Sequence, residues 1–275
     1  MILSRVLGIS RQRIFSIRLS LKKEKENHMK QSKVNKEEDE KILTIIKQIV
    51  GQMPIYGHRK VRAILRMRHG KAVSGKRVYR IMKAANLCMP ASHSHKSLFK
   101  GIPFSYKLEA ERPDQLWGID MTYIWCGADG WGYFHGVIDH YDKTLLGYTF
   151  SRSCKAQGAV LAMAEATMQR IPKDLELRSD NGCHYGAKVF RDELRRLGIH
   201  HTRTMVNTPK GNAVIERFFR SLKEECVWQH QFQNFDEAKK FVDEWVVKYN
   251  QERPHQSLGY LTPAEFFQKN VRTAA

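Results

Sequence analysis

The sequence predicts an α/β fold in which a mixed five-stranded sheet, flanked by helices, follows a basic all-helical region. Three runs rich in aromatic and β-branched residues, at 116–125, 131–139 and 144–151, are typical of meandering strands. Helix-like and strand-like segments then alternate as far as residue 204. The first 100 residues instead show helical periodicity and hold 24 Lys and Arg against 6 Asp and Glu.

The order of the predicted elements is that of a ribonuclease-H-like domain. After the three strands come a helix at 155–170, a strand at 175–179, a helix at 187–197, a strand at 199–204, and helices at 212–225 and 236–250.

The basic region predicts three helices. They begin at residue 37 and cover 58–68 and 75–85, with Ser74 as the N-cap of the third. The predicted domains are a basic helical segment and linker at 1–36, a helix-turn-helix region at 37–88, a linker at 89–113, a catalytic core at 114–232 and a helical extension at 233–275.

Charge predicts a polyanionic partner. The net charge is +19, and between residues 41 and 100 there are 14 Lys and Arg and no acid. The predicted third helix would present its cations to DNA. These are Lys76, Arg77, Arg80 and Lys83. The alternative is an ordinary helical hairpin with a basic, solvated outer face.

A phosphate-binding loop is not predicted in this region. The segment from Gly70 to Lys76 has the spacing of such a loop, but Arg77 stands where the motif needs Ser or Thr. The segment therefore predicts a turn between helices.

Five scattered cysteines without a Cys-x-x-Cys pair indicate a reducing compartment and argue against a structural zinc site. No apolar run approaches the ~18 residues of a membrane span. Residues 1–23 have the composition of a transit peptide, but we favour a basic helical segment. We expect a cytoplasmic, nucleoid-associated protein with no membrane partner.

Three acids carry the predicted chemistry. Asp120 lies in an apolar strand, Asp180 ends the fourth strand, and Glu216 lies in the helix after the fifth. First and fourth strands are neighbours in a ribonuclease-H-like sheet, so the three carboxylates can converge. They would hold two Mg²⁺ ions, with Mn²⁺ as a substitute, for in-line displacement at phosphorus. For Glu216 alone, an exposed helix face is the simpler interpretation.

Other acids have simpler interpretations. Asp142 lies in a predicted turn, which solvation explains, and Asp139 ends a strand as a turn or cap residue; Asp114 is a further competitor. A lone acid inside an apolar strand, such as Asp120, demands a partner because its burial unpaired is costly.

Cations follow Glu216 on the same predicted helix. Lys223 lies two helical turns further along and could contact the phosphate beside the scissile one. Arg217 and Arg220 could also contact phosphates. Solvated surface residues are the alternative for all three.

These motifs together resemble the OrfB-type transposases of bacterial insertion sequences (the insertion-sequence-three family), whose core is similar to retroviral integrase. The matching segments are 56–87, 117–123 around Asp120, 179–182 around Asp180, 212–223 around Glu216, and the C-terminal signature at 249–266.

The resemblance implies Mg²⁺-dependent DNA cleavage and strand transfer, with Asp120, Asp180 and Glu216 as catalytic metal ligands. It implies DNA contacts at Lys223, at Lys60 in the helix-turn-helix region, and at Arg253 and His255 in the C-terminal signature. Implied partners are double-stranded DNA (element ends and target), a homo-oligomer on DNA, and an upstream-frame product or fusion.

Two other functions remain open from the sequence. One is a non-catalytic DNA-binding regulator, and the other is a ribonuclease-H-like nuclease that only hydrolyses. A complete acidic triad favours the transposase over the regulator.

Overall fold

The computed structural model describes residues 36–89, 110–204 and 212–274, with side chains to residue 270. The predicted N-terminal segment and most of the predicted linker lie outside these residues. The chain divides into two compact units, Met1–Pro90 and Ala91–Ala275.

The first unit is a three-helix arrangement. Helix α1 covers residues 36–52, α2 covers His58–His69 and α3 covers Gly75–Ala84. Ile46, Val61 and Leu65 are fully buried between them. The hydroxyl of Ser74 accepts the N–H of Arg77, at 3.2 Å, which is the predicted N-cap. Gly70 takes the left-handed conformation that ends α2.

The second unit is built on a five-stranded mixed sheet. Its strands are β1 (Leu116–Trp125), β2 (Trp131–Asp139), β3 (Leu145–Ser151), β4 (Glu176–Ser179) and β5 (His200–Arg203). The order is β3-β2-β1-β4-β5. The first three strands are antiparallel, whereas β4 and β5 run parallel to β1. The predicted α/β fold, with its basic helical region and mixed sheet, is confirmed.

Helices cover both faces of this sheet. They are α4 (Ala156–Gln169), the single turn α5 (Cys183–Gly186), α6 (Lys188–Arg196), α7 (Ala213–Glu225), α8 (Phe235–Gln251) and α9 (Pro263–Ala274). Helices α4 and α6 pack on one face, around Trp117 and Ile119. Helices α7 and α8 pack on the other, around Phe134 and Phe218. The two apolar layers arise because successive strand residues point to opposite faces.

The turn between β2 and β3 differs from the prediction. Asp142 is fully buried rather than solvated, and its carboxylate lies 2.7 Å from the guanidinium of Arg170 at the end of α4. Solvation was therefore the wrong explanation for Asp142. The reason is tertiary: Arg170 lies 28 residues away in sequence and compensates the buried charge.

Asp139 ends β2 and caps the turn that follows, as predicted. One carboxylate oxygen accepts the N–H of Tyr141 at 2.6 Å, and the other accepts the N–H of Asp114 at 2.7 Å. Arg170 also lies 3.3 Å from Asp114 and from Asp139. The ring of Phe267, on α9, stacks on the same guanidinium at 3.7 Å.

Candidate active site

Asp120 and Asp180 lie at corresponding points of two neighbouring parallel strands. The ladder between β1 and β4 pairs Gly118 with Arg178, and each acid lies two residues further along its own chain. Asp180 directly follows Ser179, the last residue of β4. Residues that are equally far along two paired parallel strands lie side by side in the sheet. The fold therefore brings these two carboxylates to one place.

Glu216 is carried to the same place by the start of α7. The side-chain amide of Asn212 donates to the carbonyl of Ile119 at 3.1 Å, which ties the beginning of α7 to the residue before Asp120. The N–H of Glu216 donates to the carbonyl of Asn212 at 3.2 Å, so Glu216 lies one turn into the helix.

A glycine makes this approach possible. A Cβ atom at Gly118 would lie 2.6 Å from a ring nitrogen of His140 and 2.7 Å from the side-chain oxygen of Asn212. Any larger residue would displace these two side chains, and Asn212 is the residue that ties α7 to Ile119. The small residue two places before Asp120 thus leaves room for this tie.

The three acids interact electrostatically. Burial raises the pKa of Asp120 to about 7, the N–H of Met121 opposes this by donating to the carboxylate at 2.7 Å, and the charges of Asp180 and Glu216 raise it further. Burial also raises the pKa of Glu216. Asp180 is exposed and accepts the N–H of Gly182 at 2.8 Å.

The donor set fits a hard divalent cation. Its members are carboxylate oxygens, which Mg²⁺ prefers. A cation between them would offset the charges of Asp180 and Glu216, which add to the effect of burial on the pKa of Asp120. Across residues 36–89, 110–204 and 212–270, however, no three His, Cys, Asp or Glu side chains are grouped closely enough to hold a metal ion. The carboxylates are neighbours that have to draw closer to share an ion.

Three cations lie on α7, the helix that carries Glu216. The ammonium of Lys223 is 5.5 Å from the centre of the Tyr123 ring. Arg217 and Arg220 are exposed, and Arg220 forms an ion pair with Glu224 at 2.8 Å. Their positions suit contact with a polyanion that reaches Glu216.

Arg253 and His255 lie in a different environment. Both are buried, at 6% and 8% exposed. The guanidinium of Arg253 donates to the carboxylate of Glu225 at 2.7 and 2.8 Å and to the hydroxyl of Ser221 at 3.0 Å. The structure assigns these two predicted DNA contacts to the packing between α7 and the end of α8.

The predicted DNA contacts of the first unit divide into two groups. Lys76 and Lys83 are exposed on α3. Arg77 donates to Asp39 at 2.7 Å and to Glu38 at 2.8 Å, and Arg80 donates to Asp39 at 2.5 Å. Lys60 lies over the ring of Tyr56 at 4.3 Å. Acids of α1 thus already engage the two arginines.

Sequence reasoning missed the polar neighbours of Met121. The thiol of Cys154 lies 3.2 Å from the Nε2 atom of His184 and 3.9 Å from the sulfur of Met121. His135 is fully buried against the His184 ring, and burial, then the charge of His184, lowers the pKa of His135 to about 4. Three separate segments supply these residues, so no local pattern could reveal the group.

The sheet order, with one acid inside β1 and one directly after β4, defines the class of integrase-type, ribonuclease-H-like cores. A model described as "Integrase core domain" matches residues 110–209, a second with the same description matches 197–263, and an "HTH-like domain" model matches 37–94. Together these models span both units.

Curated relatives have names from insertion sequences. The chain is 32% identical over 166 residues to the "Insertion element IS600 uncharacterized 31 kDa protein" of Shigella sonnei, covering 59% of this chain and 60% of that protein. It is 29% identical to the "Putative transposase InsK for insertion sequence element IS150" of Escherichia coli K12, covering 77% of each. It is 27% identical to the "Transposase InsD for insertion element IS2A/D/F/H/I/K" of Escherichia coli, covering 85% and 80%. The chain belongs to the OrfB-type transposases of bacterial insertion sequences, enzymes of the polynucleotidyl-transferase type with an integrase-like core.

Solved structures are more distant. The chain is similar to a chain of a simian T-cell lymphotropic virus intasome, with a TM-score of 0.48, 14% identity, and coverage of 77% of this chain and 70% of that one. It is similar to the BIV integrase catalytic core, with a TM-score of 0.44, 23% identity, and coverage of 58% and 98%. The described part of this chain contains no helix with the length and apolarity to cross a membrane.

Proposed function

We propose that this chain catalyses DNA cleavage at the ends of an insertion sequence and joins the exposed 3′ ends to target DNA. The observation that carries the proposal is the approach of Asp120, Asp180 and Glu216 to one another. Strand β1, the residue that follows β4, and helix α7 supply one acid each. The electrostatic influence of Asp180 and Glu216 on Asp120 supports their assignment to one site.

These three carboxylates would hold divalent metal, two Mg²⁺ ions or Mn²⁺ in their place. When bound, such ions neutralise charge on the attacking and leaving oxygens of a phosphoryl transfer. Asp120 accepts a hydrogen bond from the N–H of Met121, and Asp180 accepts one from the N–H of Gly182, so the backbone orients one oxygen of each carboxylate. Glu216 projects from a helix and can adjust toward them.

The exposed cations on α7 would position the DNA backbone. Lys223 lies on the helix that carries Glu216 and near the strand that carries Asp120. Arg217 and Arg220 are exposed on the same helix. Charge-assisted contacts from such side chains would fix the scissile phosphate beside the acids without reading sequence.

The first unit would contribute a second DNA contact. Lys76 and Lys83 are exposed on α3, the second helix of the helix-turn-helix. Lys60 would have to leave the ring of Tyr56 to contact DNA, and Arg77 and Arg80 would have to leave Asp39. Arg253 and His255 have no place in this proposed surface because they are buried.

Double-stranded DNA would be the partner, as element ends and as target. A homo-oligomer on DNA follows from the chemistry, because two ends must be joined to one target. An upstream-frame product or fusion stays a prediction from the family resemblance.

The test compares the full chain with carboxylate variants on DNA that carries the ends of its own element. Asp180→Asn and Glu216→Gln should reduce Mg²⁺-dependent strand joining by about a thousandfold or more, because each removes a charge that the site needs. Asp192→Asn is the matched control, since Asp192 is exposed and pairs only at the surface with Arg195. It should keep full activity.

Three other outcomes would contradict the proposal. Equal activity in wild type and carboxylate variants would remove the catalytic assignment. DNA binding without any cleavage would favour a regulator, and nicked products without joined strands would favour a hydrolytic nuclease.

The melting temperature tests metal binding without turnover. Mg²⁺ should raise the melting temperature of the wild type and leave that of the Asp120→Asn variant unchanged.

A further inference from the structure

Three large aromatic side chains lie exposed together on the tip of the β1–β2 hairpin. Tyr123 is 55% exposed, Trp125 is 53% exposed and Trp131 is 48% exposed. We call these three residues the aromatic platform. Exposed large apolar groups that adjoin one another, rather than being scattered, mark interaction sites.

The platform is an ordered surface. The rings of Tyr123 and Trp131 meet edge to face with centres 5.1 Å apart, and those of Trp125 and Trp131 do so at the same separation. Trp125 pairs directly with Trp131 across the two strands, and Tyr123 is two residues back along β1, so all three share one face of the sheet. Because about half of each side chain is exposed, aromatic surface remains available to a flat ligand.

The rest of the same sheet face is covered. Helix α4 packs over it as far as His135, where a Cβ atom at Gly158 would lie 2.6 Å from the imidazole ring. Beyond the pair formed by Met121 and His135, the platform residues emerge from this cover. The uncovered part of the face therefore begins after Met121, the residue that follows Asp120 on β1.

The platform and the proposed catalytic site lie on opposite faces of β1 and meet at its edge. Tyr123 follows Asp120 by three residues, and alternate residues of a strand point to opposite faces. The ladder of β4 on β1 runs only over Leu116–Gly118, and no other described strand pairs with that edge beyond it. Lys223 places its ammonium 5.5 Å from the centre of the Tyr123 ring and lies on the helix of Glu216. A nucleic acid strand whose phosphate reaches the acids would pass this edge.

We propose that the aromatic platform binds unpaired DNA bases that flank the scissile phosphate. This inference rests on the proposed function, since it takes DNA as the substrate. Stacking on Tyr and Trp suits bases of any sequence, and the ammonium of Lys223 supplies the positive charge that accompanies such platforms in single-strand binding proteins. Paired bases inside a duplex expose no face to stack, so the platform distinguishes frayed ends from intact duplex.

The test measures binding in EDTA, so that no cleavage occurs. The probes are a hairpin-capped DNA duplex with a blunt end and the same duplex with a short single-stranded overhang. The full-length wild type should bind the overhang probe about tenfold more tightly, and Trp125→Leu or Trp131→Leu should each remove most of that preference. The affinity of each Leu variant for the blunt probe should stay within about twofold of the wild-type affinity.

Two further variants control the experiment. Trp228→Leu removes another exposed tryptophan, 66% exposed and located on the turn Val227–Gln229, and should keep the preference. Trp125→Phe keeps an aromatic face and should retain most of it. Because the replaced rings are half exposed, the variants should keep the far-UV circular dichroism of the wild type.

Three results would overturn the inference. The first is a wild type without preference for the overhang, and the second is a preference that survives loss of both tryptophans. The third is an effect of the Leu variants confined to self-association of the DNA-free chain, measured by sedimentation, which would make the platform an interface between copies. If the chain cleaves DNA but shows no preference for the overhang, the role of the platform is rejected and the proposed function stands. If it shows the preference but does not cleave DNA, the proposed function is rejected and base binding by the platform stands.

Discussion

Arg253 illustrates how one residue can fit a functional motif and still have a structural role. It was predicted to contact DNA because it lies in the C-terminal signature, yet its guanidinium is enclosed by Glu225 and Ser221. A buried charge with two acceptors in place is stabilised by its partner, and removal of either member leaves the other without compensation.

Arg253→Met should therefore lower the free energy of unfolding by about 3–5 kcal/mol. Urea unfolding followed by tryptophan fluorescence measures this, since all five tryptophans lie in the second unit. The double variant with Glu225→Leu should recover at least part of the loss, because it removes the stranded carboxylate. A stable Arg253→Met chain with weakened DNA binding would instead restore the predicted DNA contact.

At the scale of elements, the contact between α4 and β3 depends on Gly147. A Cβ atom there would lie 2.4 Å from the carbonyl oxygen of Ala162 and 2.5 Å from the backbone nitrogen of Ala166. The neighbours are backbone atoms of a helix, which no side-chain rotation can move. Small residues on both elements allow the close packing that buries Ala162 and Ala166 completely.

Gly147→Ala should lower the free energy of unfolding by about 2–3 kcal/mol, because α4 must move away from the sheet. Gly136→Ala is the matched control on β2, where an added Cβ atom meets only side-chain atoms, at 3.1 Å or more. That variant should change the same free energy by less than about 1 kcal/mol. Equal losses in the two variants would show that the helix backbone is not the limiting contact.

Helix α3 shows a second effect at this scale. Its arginines are engaged by acids that belong to α1, whereas Lys76 and Lys83 are exposed to solvent. The sequence placed all four cations on one helix, but only the packing of α1 against α3 separates them into two groups.

For the whole molecule, charge is distributed unevenly along the chain. Residues 1–100 carry a net charge of +18 and residues 101–275 carry +1, which together give +19. Binding of DNA by such a chain releases counterions, so its affinity should fall steeply with salt concentration.

Lys76→Gln and Lys83→Gln should each reduce the slope of log affinity against log salt by about 0.9, if each lysine contacts one phosphate. The measurement is a salt titration of binding to mixed-sequence duplex DNA. The control is Lys188→Gln, which replaces an exposed lysine on α6 of the second unit and should leave the slope unchanged. An unchanged slope in the α3 variants would place the DNA surface elsewhere.

Much of the fold could be predicted because local patterns encode it. Aromatic and β-branched residues at 116–125 and 131–139 predicted β1 and β2, and apolar spacing with Ser74 predicted α3. The short α5 escaped because a single turn carries too few residues for a periodic pattern.

The sequence by itself determined the order of strands and helices, the charge of the first unit and the positions of the three acids along the chain. Only the tertiary structure decided that Asp142 is buried beside Arg170, that Arg253 faces Glu225, and that the aromatic platform is left uncovered. The physical reason is that burial and ion pairing depend on residues far apart in the chain. Local periodicity shows which face of an element is apolar, but it does not show which distant side chain will meet that face.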